Sequence, residues 1–126
     1  MINGAHFLLY SKDPEADRAF LRDVLEFRSV DAGRGWLIFA LPPAEIALHP
    51  IDEDALEPNA DGQVVGAFLY LMCDDLPSTM TSLESRNVLC SEVDEAPWGI
   101  VTTFRLPSGG EIGLYQPTHP TALELR

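Results

Sequence analysis

Basic residues are scarce in this chain. Against 20 Asp and Glu there are 8 Lys and Arg, a formal net charge of −12 at pH 7. Phosphate backbones are held by cationic side chains, so nucleic acid is not an expected partner. The charge suits a solvated acidic surface that aids solubility, or a field that draws in a cationic ligand. The carboxylates are spread along the chain apart from Asp52, Glu53, Asp54 and Glu57. Cysteine is scarcer still. Cys73 and Cys90 have neither the spacing of a metal or redox motif nor the number for a disulfide framework. They read as reduced thiols of a cytoplasmic protein. Long apolar runs are missing: none approaches the roughly 20 residues of a membrane-spanning helix. Met1-Ile2-Asn3-Gly4 has no basic stretch ahead of an apolar one, so neither a membrane partner nor a signal peptide is expected. No Gly-x-x-x-x-Gly-Lys phosphate loop occurs, and no local signature of a Ser/His/Asp or Cys/His nucleophile. Gly109-Gly110 reads as a hairpin turn.

What the chain does contain is a repeat. Phe39-Ala40-Leu41-Pro42-Pro43-Ala44-Glu45-Ile46-Ala47-Leu48-His49 is echoed by Phe104-Arg105-Leu106-Pro107-Ser108-Gly109-Gly110-Glu111-Ile112-Gly113-Leu114-Tyr115. Both run Phe-x-Leu-Pro, a short turn, then Glu-Ile-small-Leu-aromatic. Upstream, Gly4-Ala5-His6-Phe7 matches Gly66-Ala67-Phe68-Leu69. A chain of 126 residues suits one compact domain, or two half-domains around a shared core. The repeat divides the single domain 1–126 into module one over 1–50, a linker over 51–63, module two over 64–117 and a tail over 118–126.

Each module reads strand, helix, strand, strand, strand. In the first, strands are expected over 2–10, 27–30, 36–41 and 45–49. Asp13-Pro14 opens a helix whose apolar positions are Ala16, Ala19, Phe20 and Val24. In the second, strands are expected over 64–72, 89–93, 100–106 and 111–116. Asp74-Asp75-Leu76-Pro77 opens a shorter helix over 79–86. The fold class is therefore α+β: two βαβββ modules forming a cupped mixed β-sheet with helices on the outer face.

This duplication, with Gly109-Gly110 turning into Glu111-Ile112-Gly113-Leu114-Tyr115-Gln116-Pro117, resembles the glyoxalase / bleomycin resistance protein / extradiol dioxygenase superfamily, the vicinal oxygen chelate fold. Pro97-Trp98-Gly99 before an apolar strand fits the same resemblance. It covers nearly the whole chain. It implies a cavity enclosed by the paired modules, often across a homodimer. In the family's enzymes a divalent metal is held at four symmetry-related positions, one on the first and one on the last strand of each module. Here those positions are His6, Ala47, Phe68 and Gly113. Only His6 can donate to a metal, whereas catalytic sites of this kind take about three protein ligands. No cofactor is therefore expected, and the enzyme reading is disfavoured.

Alternation along the strands sorts the remaining candidates. Ile112 and Leu114 point toward the helix, with Gly113 and Tyr115 on the opposite face beside Glu111. His6 and Tyr10 are expected to share the inner face with Phe68 and Tyr70, and Ala47 and His49 to join from the first module. Ala47 and Gly113 leave volume there, to be filled by a small molecule or by neighbouring side chains. Trp98 is a candidate stacking wall and Tyr115 a ring with a hydroxyl donor. Trp36 belongs to core or rim, and His119 reads as a surface-loop residue. The leading expectation is a metal-independent binding protein for a cationic or aromatic small molecule. The alternative is a metal-dependent lyase, isomerase or dioxygenase with a displaced site of His6, His49 and Glu111. That site needs Glu111 to reach about 7 Å along its strand. A third reading is an accessory domain with a vestigial cup.

Overall fold

The structure, a computed structural model, describes residues 6–48 and 67–125. The expected linker over 51–63 lies outside them, as does His49. The described residues form two helices and six strands, in the order α1 (Pro14–Asp23), β1 (Ser29–Asp31), β2 (Leu37–Phe39), β3 (Tyr70–Met72), α2 (Leu76–Glu84), β4 (Asp94–Ala96), β5 (Gly99–Arg105) and β6 (Glu111–Pro117).

The helices start and stop in the same way. The Asp13 carboxylate accepts the amide of Ala16 at 3.2 Å, and Pro14 takes the first helical position, where its missing N–H leaves no bond unmade. Asp75 accepts the amide of Ser78 at 3.0 Å, and Pro77 lies in the first turn of α2. Each helix then ends on a left-handed residue, Glu26 (φ 60°) or Asn87 (φ 64°). The next amide turns back: Phe27 donates to Leu21 and Val88 to Leu83, both at 3.0 Å. The internal repeat thus extends to the caps.

The sheet of the second module runs β3-β6-β5-β4. β3 is parallel to β6, with Tyr70 opposite Gly113, and the other neighbours are antiparallel. The β5–β6 turn is closed by Gly109 donating to Leu106 and Leu106 to Gly110, both at 2.8 Å. Gly109 has φ 100°, a conformation in which a Cβ is penalised. Ile112 and Leu114 of β6 meet Leu76 and Leu83 of α2, with Val88, Phe104 and Leu106 completing the buried cluster. Burial of such side chains contributes about 1.5–3 kcal/mol each. Helix α1 adds Phe20 and Leu21 to the same core, and the residues that follow it add Val24 and Leu25; the Phe20 ring lies 6.0 Å from that of Phe104. A buried carboxylate fastens this junction. Asp17, 6% exposed, accepts from the hydroxyls of Ser11 and Ser108, each at 2.6 Å, and from the Ser108 amide at 3.0 Å. One core therefore serves both helices.

The α+β class holds, but the modules are not equal. Among the described residues of the first, β1 and β2 are the pair that forms, an antiparallel hairpin. Residues 6–10 and 44–48 form no strand, contrary to the strands expected over 2–10 and 45–49. The turn chemistry explains the difference. Where the second module has Pro107-Ser108-Gly109-Gly110, the first has Pro42-Pro43-Ala44. Two prolines remove two amide donors, and no glycine supplies the left-handed turn residue. The strand expected over 89–93 also moves, to Asp94–Ala96. There the Ser91 hydroxyl takes the Thr103 amide at 2.9 Å, a bond that a ladder carbonyl would otherwise accept.

Candidate aromatic binding face

The face of β6 turned away from α2 carries a group of rings. Tyr70, Trp98 and Tyr115 form a triangle with centroids 5.2–5.7 Å apart, each pair edge-to-face at 76–80°. Phe68 extends it, 4.8 Å from Tyr70. Three elements deliver these rings: β3 and the residues before it, the turn between β4 and β5, and β6. Such pairs contribute about 0.5–1.5 kcal/mol each beyond burial. Gly113 is the floor. A Cβ built on it would lie 2.6 Å from Tyr70 Cε1, nearer still to Tyr70 Cδ1, and 3.0 Å from Phe68 Cε1. The volume expected at Gly113 is therefore filled by the Tyr70 ring, because the parallel register sets Tyr70 directly across from it. Phe68, Tyr70 and Trp98 keep 47%, 43% and 38% of their surface exposed, whereas Tyr115 keeps 7%.

Tyr115 is covered by a residue that reads as surface loop in the sequence. The His119 ring stacks on it at 5.9 Å and 23°, and His119 Nε2 lies 3.0 Å from the Tyr115 hydroxyl. His119 Nδ1 lies 2.7 Å from the carbonyl of Pro120, which can only accept. In the neutral ring Nδ1 therefore carries the proton, and Nε2 accepts from Tyr115. Burial pushes the Tyr115 phenol up from its ordinary range, helped by the nearby charge of Glu45 and by Tyr70. Glu45 is half-buried, and its carboxylate accepts the amide of Ala122 at 2.9 Å. The face thus offers ring surface, a phenol and one carboxylate.

Solved structures show the same arrangement of the chain. A lactoylglutathione lyase from Agrobacterium tumefaciens superposes with a TM-score of 0.62 at 19% identity, over 90% of this chain and 92% of its own. TnmS3, an antibiotic binding protein from Streptomyces sp. CB03234, gives 0.59 at 23%, over 94% and 100%. A glyoxalase/bleomycin resistance protein/dioxygenase superfamily member from Sphaerobacter thermophilus DSM 20745 gives 0.57 at 21%, over 91% and 98%. The fold is that of the glyoxalase/bleomycin resistance protein/dioxygenase superfamily. No family model matches the sequence, and no curated protein matches it. Identities this low speak for the fold and not for an activity.

Within that fold the candidate residues separate. Phe68, Tyr70, Trp98, Gly113 and Tyr115 come together on one face. His6 and Ala47 are exposed on segments without strand structure, and Tyr10 is 91% exposed. Glu111 is exposed at the other end of β6, opposite Arg105. Trp36 lies apart, under the Arg18 guanidinium at 4.7 Å. The four positions at which the resemblance implies a metal, 6, 47, 68 and 113, do not carry the donors that a divalent cation takes. His6 is the single donor among the four, and the Tyr70 ring occupies the place of any side chain at 113. Among the described residues no three His, Cys, Asp or Glu converge to hold a metal. No helix among them is long and apolar enough to cross a membrane.

Proposed function

We propose that this chain is a small-molecule binding protein that needs no metal and takes a flat aromatic cation on the face of Phe68, Tyr70 and Trp98. The observation that carries the reading is the packed but open ring group over Gly113. Ring faces attract cations and flat rings alike. The Glu45 carboxylate beside Tyr115 and the net charge of −12 favour a positive ligand over a negative one. The likeness to an antibiotic binding protein agrees with a small-molecule binding role. The test is isothermal titration calorimetry with 9-aminoacridinium, a flat aromatic cation. Saturable binding is expected, weakened about tenfold in Trp98→Ala. Equal affinity in wild type and Trp98→Ala would move the site elsewhere, and no binding would sink the reading.

The closure of Gly113 by Tyr70 favours a second reading, an accessory domain that binds nothing there. The absence of binding in the same titration is its expected result. We further propose that the protein acts as a homodimer in the cytoplasm. The exposed apolar side chains of Phe7, Leu8, Tyr10, Ile46 and Leu48 support the first point, since burial against a second copy would stabilise them. The free thiols of Cys73 and Cys90 agree with the second. Light scattering is expected to give twice the 13.9 kDa of one chain. A monomer at all concentrations would refute the dimer.

A further inference from the structure

After β6 the chain doubles back over the aromatic face. The Thr118 amide donates to the Trp98 carbonyl at 3.0 Å, and the Thr118 hydroxyl to the Pro97 carbonyl at 3.3 Å. His119 stacks on Tyr115, and Ala122 donates to Glu45 at 2.9 Å. The tail is thus tied to the β4–β5 turn, to β6 and to the first module in turn. Its apolar anchoring is slight: Ala122 and Leu125 are exposed and Leu123 is half-buried. The contacts that hold it are hydrogen bonds at exposed or half-exposed positions, which exchange readily with water. Its effect on the face is selective. Three rings stay open, and Tyr115 alone is covered.

We infer that residues 118–125 form a displaceable strap, and that the His119 imidazole holds the stacking place on Tyr115 which a flat ligand takes when the strap lifts. This rests on the aromatic-cation reading above. Lifting the strap has three local consequences. It uncovers the Tyr115 ring, releases the Tyr115 hydroxyl from His119 Nε2, and frees the Glu45 carboxylate from the Ala122 amide. Each is a group that an aromatic cation uses: a ring face, a hydrogen-bonding hydroxyl and a counter-charge. His119 is then a competitor built into the chain, and the measured affinity is lowered by the fraction of molecules in which it is seated.

The test compares wild type with three variants: a chain ending at Pro117, His119→Ala and Ala122→Pro. The last removes the N–H bonded to Glu45 and leaves the rings alone. With 9-aminoacridinium as the probe, all three are expected to bind about two- to tenfold more tightly than wild type, the range of one aromatic stack. Association measured by stopped flow should be faster in Ala122→Pro. Circular dichroism checks that each variant is folded, and the two point substitutions keep the test open if the truncated chain is not. If wild type binds, Trp98→Ala binds weakly and the strap variants match wild type, the strap inference fails and the aromatic-cation reading stands. If the strap variants bind more weakly, the tail is a wall of the site and the inference is overturned. If wild type does not bind, the aromatic-cation reading fails and the inference falls with it.

Discussion

Gly113→Ala is the sharpest perturbation of the aromatic face, because it adds one methyl group at a place where the new contacts are known. The added Cβ would sit 2.6 Å from Tyr70 Cε1 and 3.0 Å from Phe68 Cε1. Carbon atoms rest at about 3.5–4.0 Å, so Tyr70 must retreat by about 1 Å. Behind it stand Trp98 and Tyr115, both with centroids 5.7 Å away, and the retreat disturbs both edge-to-face pairs. Overpacking of this kind costs about 1–3 kcal/mol. Residue 113 does not adopt a left-handed φ, so alanine meets no backbone strain. The lost freedom of glycine in the unfolded chain returns about 0.4–1 kcal/mol. The net loss is therefore about 1–2 kcal/mol, a fall in urea midpoint of roughly 0.5–1.5 M at usual slopes. The same substitution in a Tyr70→Ala background meets no ring and is expected to be neutral or mildly stabilising, a coupling of at least about 1 kcal/mol. Gly99→Ala is the control. Its Cβ would lie 2.5 Å from the Gln116 carbonyl oxygen and 3.2 Å from Pro117 Cα, with φ at 155°. That is backbone, which Tyr70 cannot relieve, so about 2–4 kcal/mol should be lost in either background. An equal loss from Gly113→Ala with and without Tyr70 would refute the account.

Three further outcomes are expected. Asp17→Ala leaves the Ser108 amide and two hydroxyls without their common acceptor and should cost about 2–4 kcal/mol in thermal unfolding, with Asp17→Asn costing less. A loss below about 0.5 kcal/mol would show that the junction does not depend on this carboxylate. Tyr115 is pushed up by burial, then by Glu45 and Tyr70, from the ordinary value of 10.0. Its folded form holds the phenol proton more tightly than the unfolded chain does. The stability this contributes is complete below pH 10 and is lost as pH rises through the folded value. Wild type should therefore lose stability more steeply than Tyr115→Phe above pH 10, and parallel curves would contradict this. Burial also pushes the Cys73 and Cys90 thiols upward, so iodoacetamide at pH 7 should label them more slowly than in denatured chain. Equal rates would contradict that shift.

β6 is legible in the sequence because both of its faces are covered. Ile112 and Leu114 alternate toward α2 while Gly113 and Tyr115 meet rings, and strict alternation has no other solution. The helix starts are legible for a local reason: Asp before Pro satisfies an end amide whatever the tertiary setting. The first module misleads because the echo of Phe39–Leu48 in the second copy matches side chains and passes over amides. Two prolines and a missing glycine decide whether that turn closes. His119 carries no pattern at all. It follows Pro117 and precedes Pro120, and what brings it onto Tyr115 is a reversal of the chain with no periodicity. Gly113 is the most instructive position. A glycine where the resemblance implies a metal-binding carboxylate reads as a vacancy, and only the parallel pairing of β3 with β6 shows that Tyr70 is seated in it. A side chain at 113 and the Tyr70 ring cannot share that volume. A ring triangle closed over residue 113 and a larger side chain at that position are therefore alternatives, decided by one packing choice.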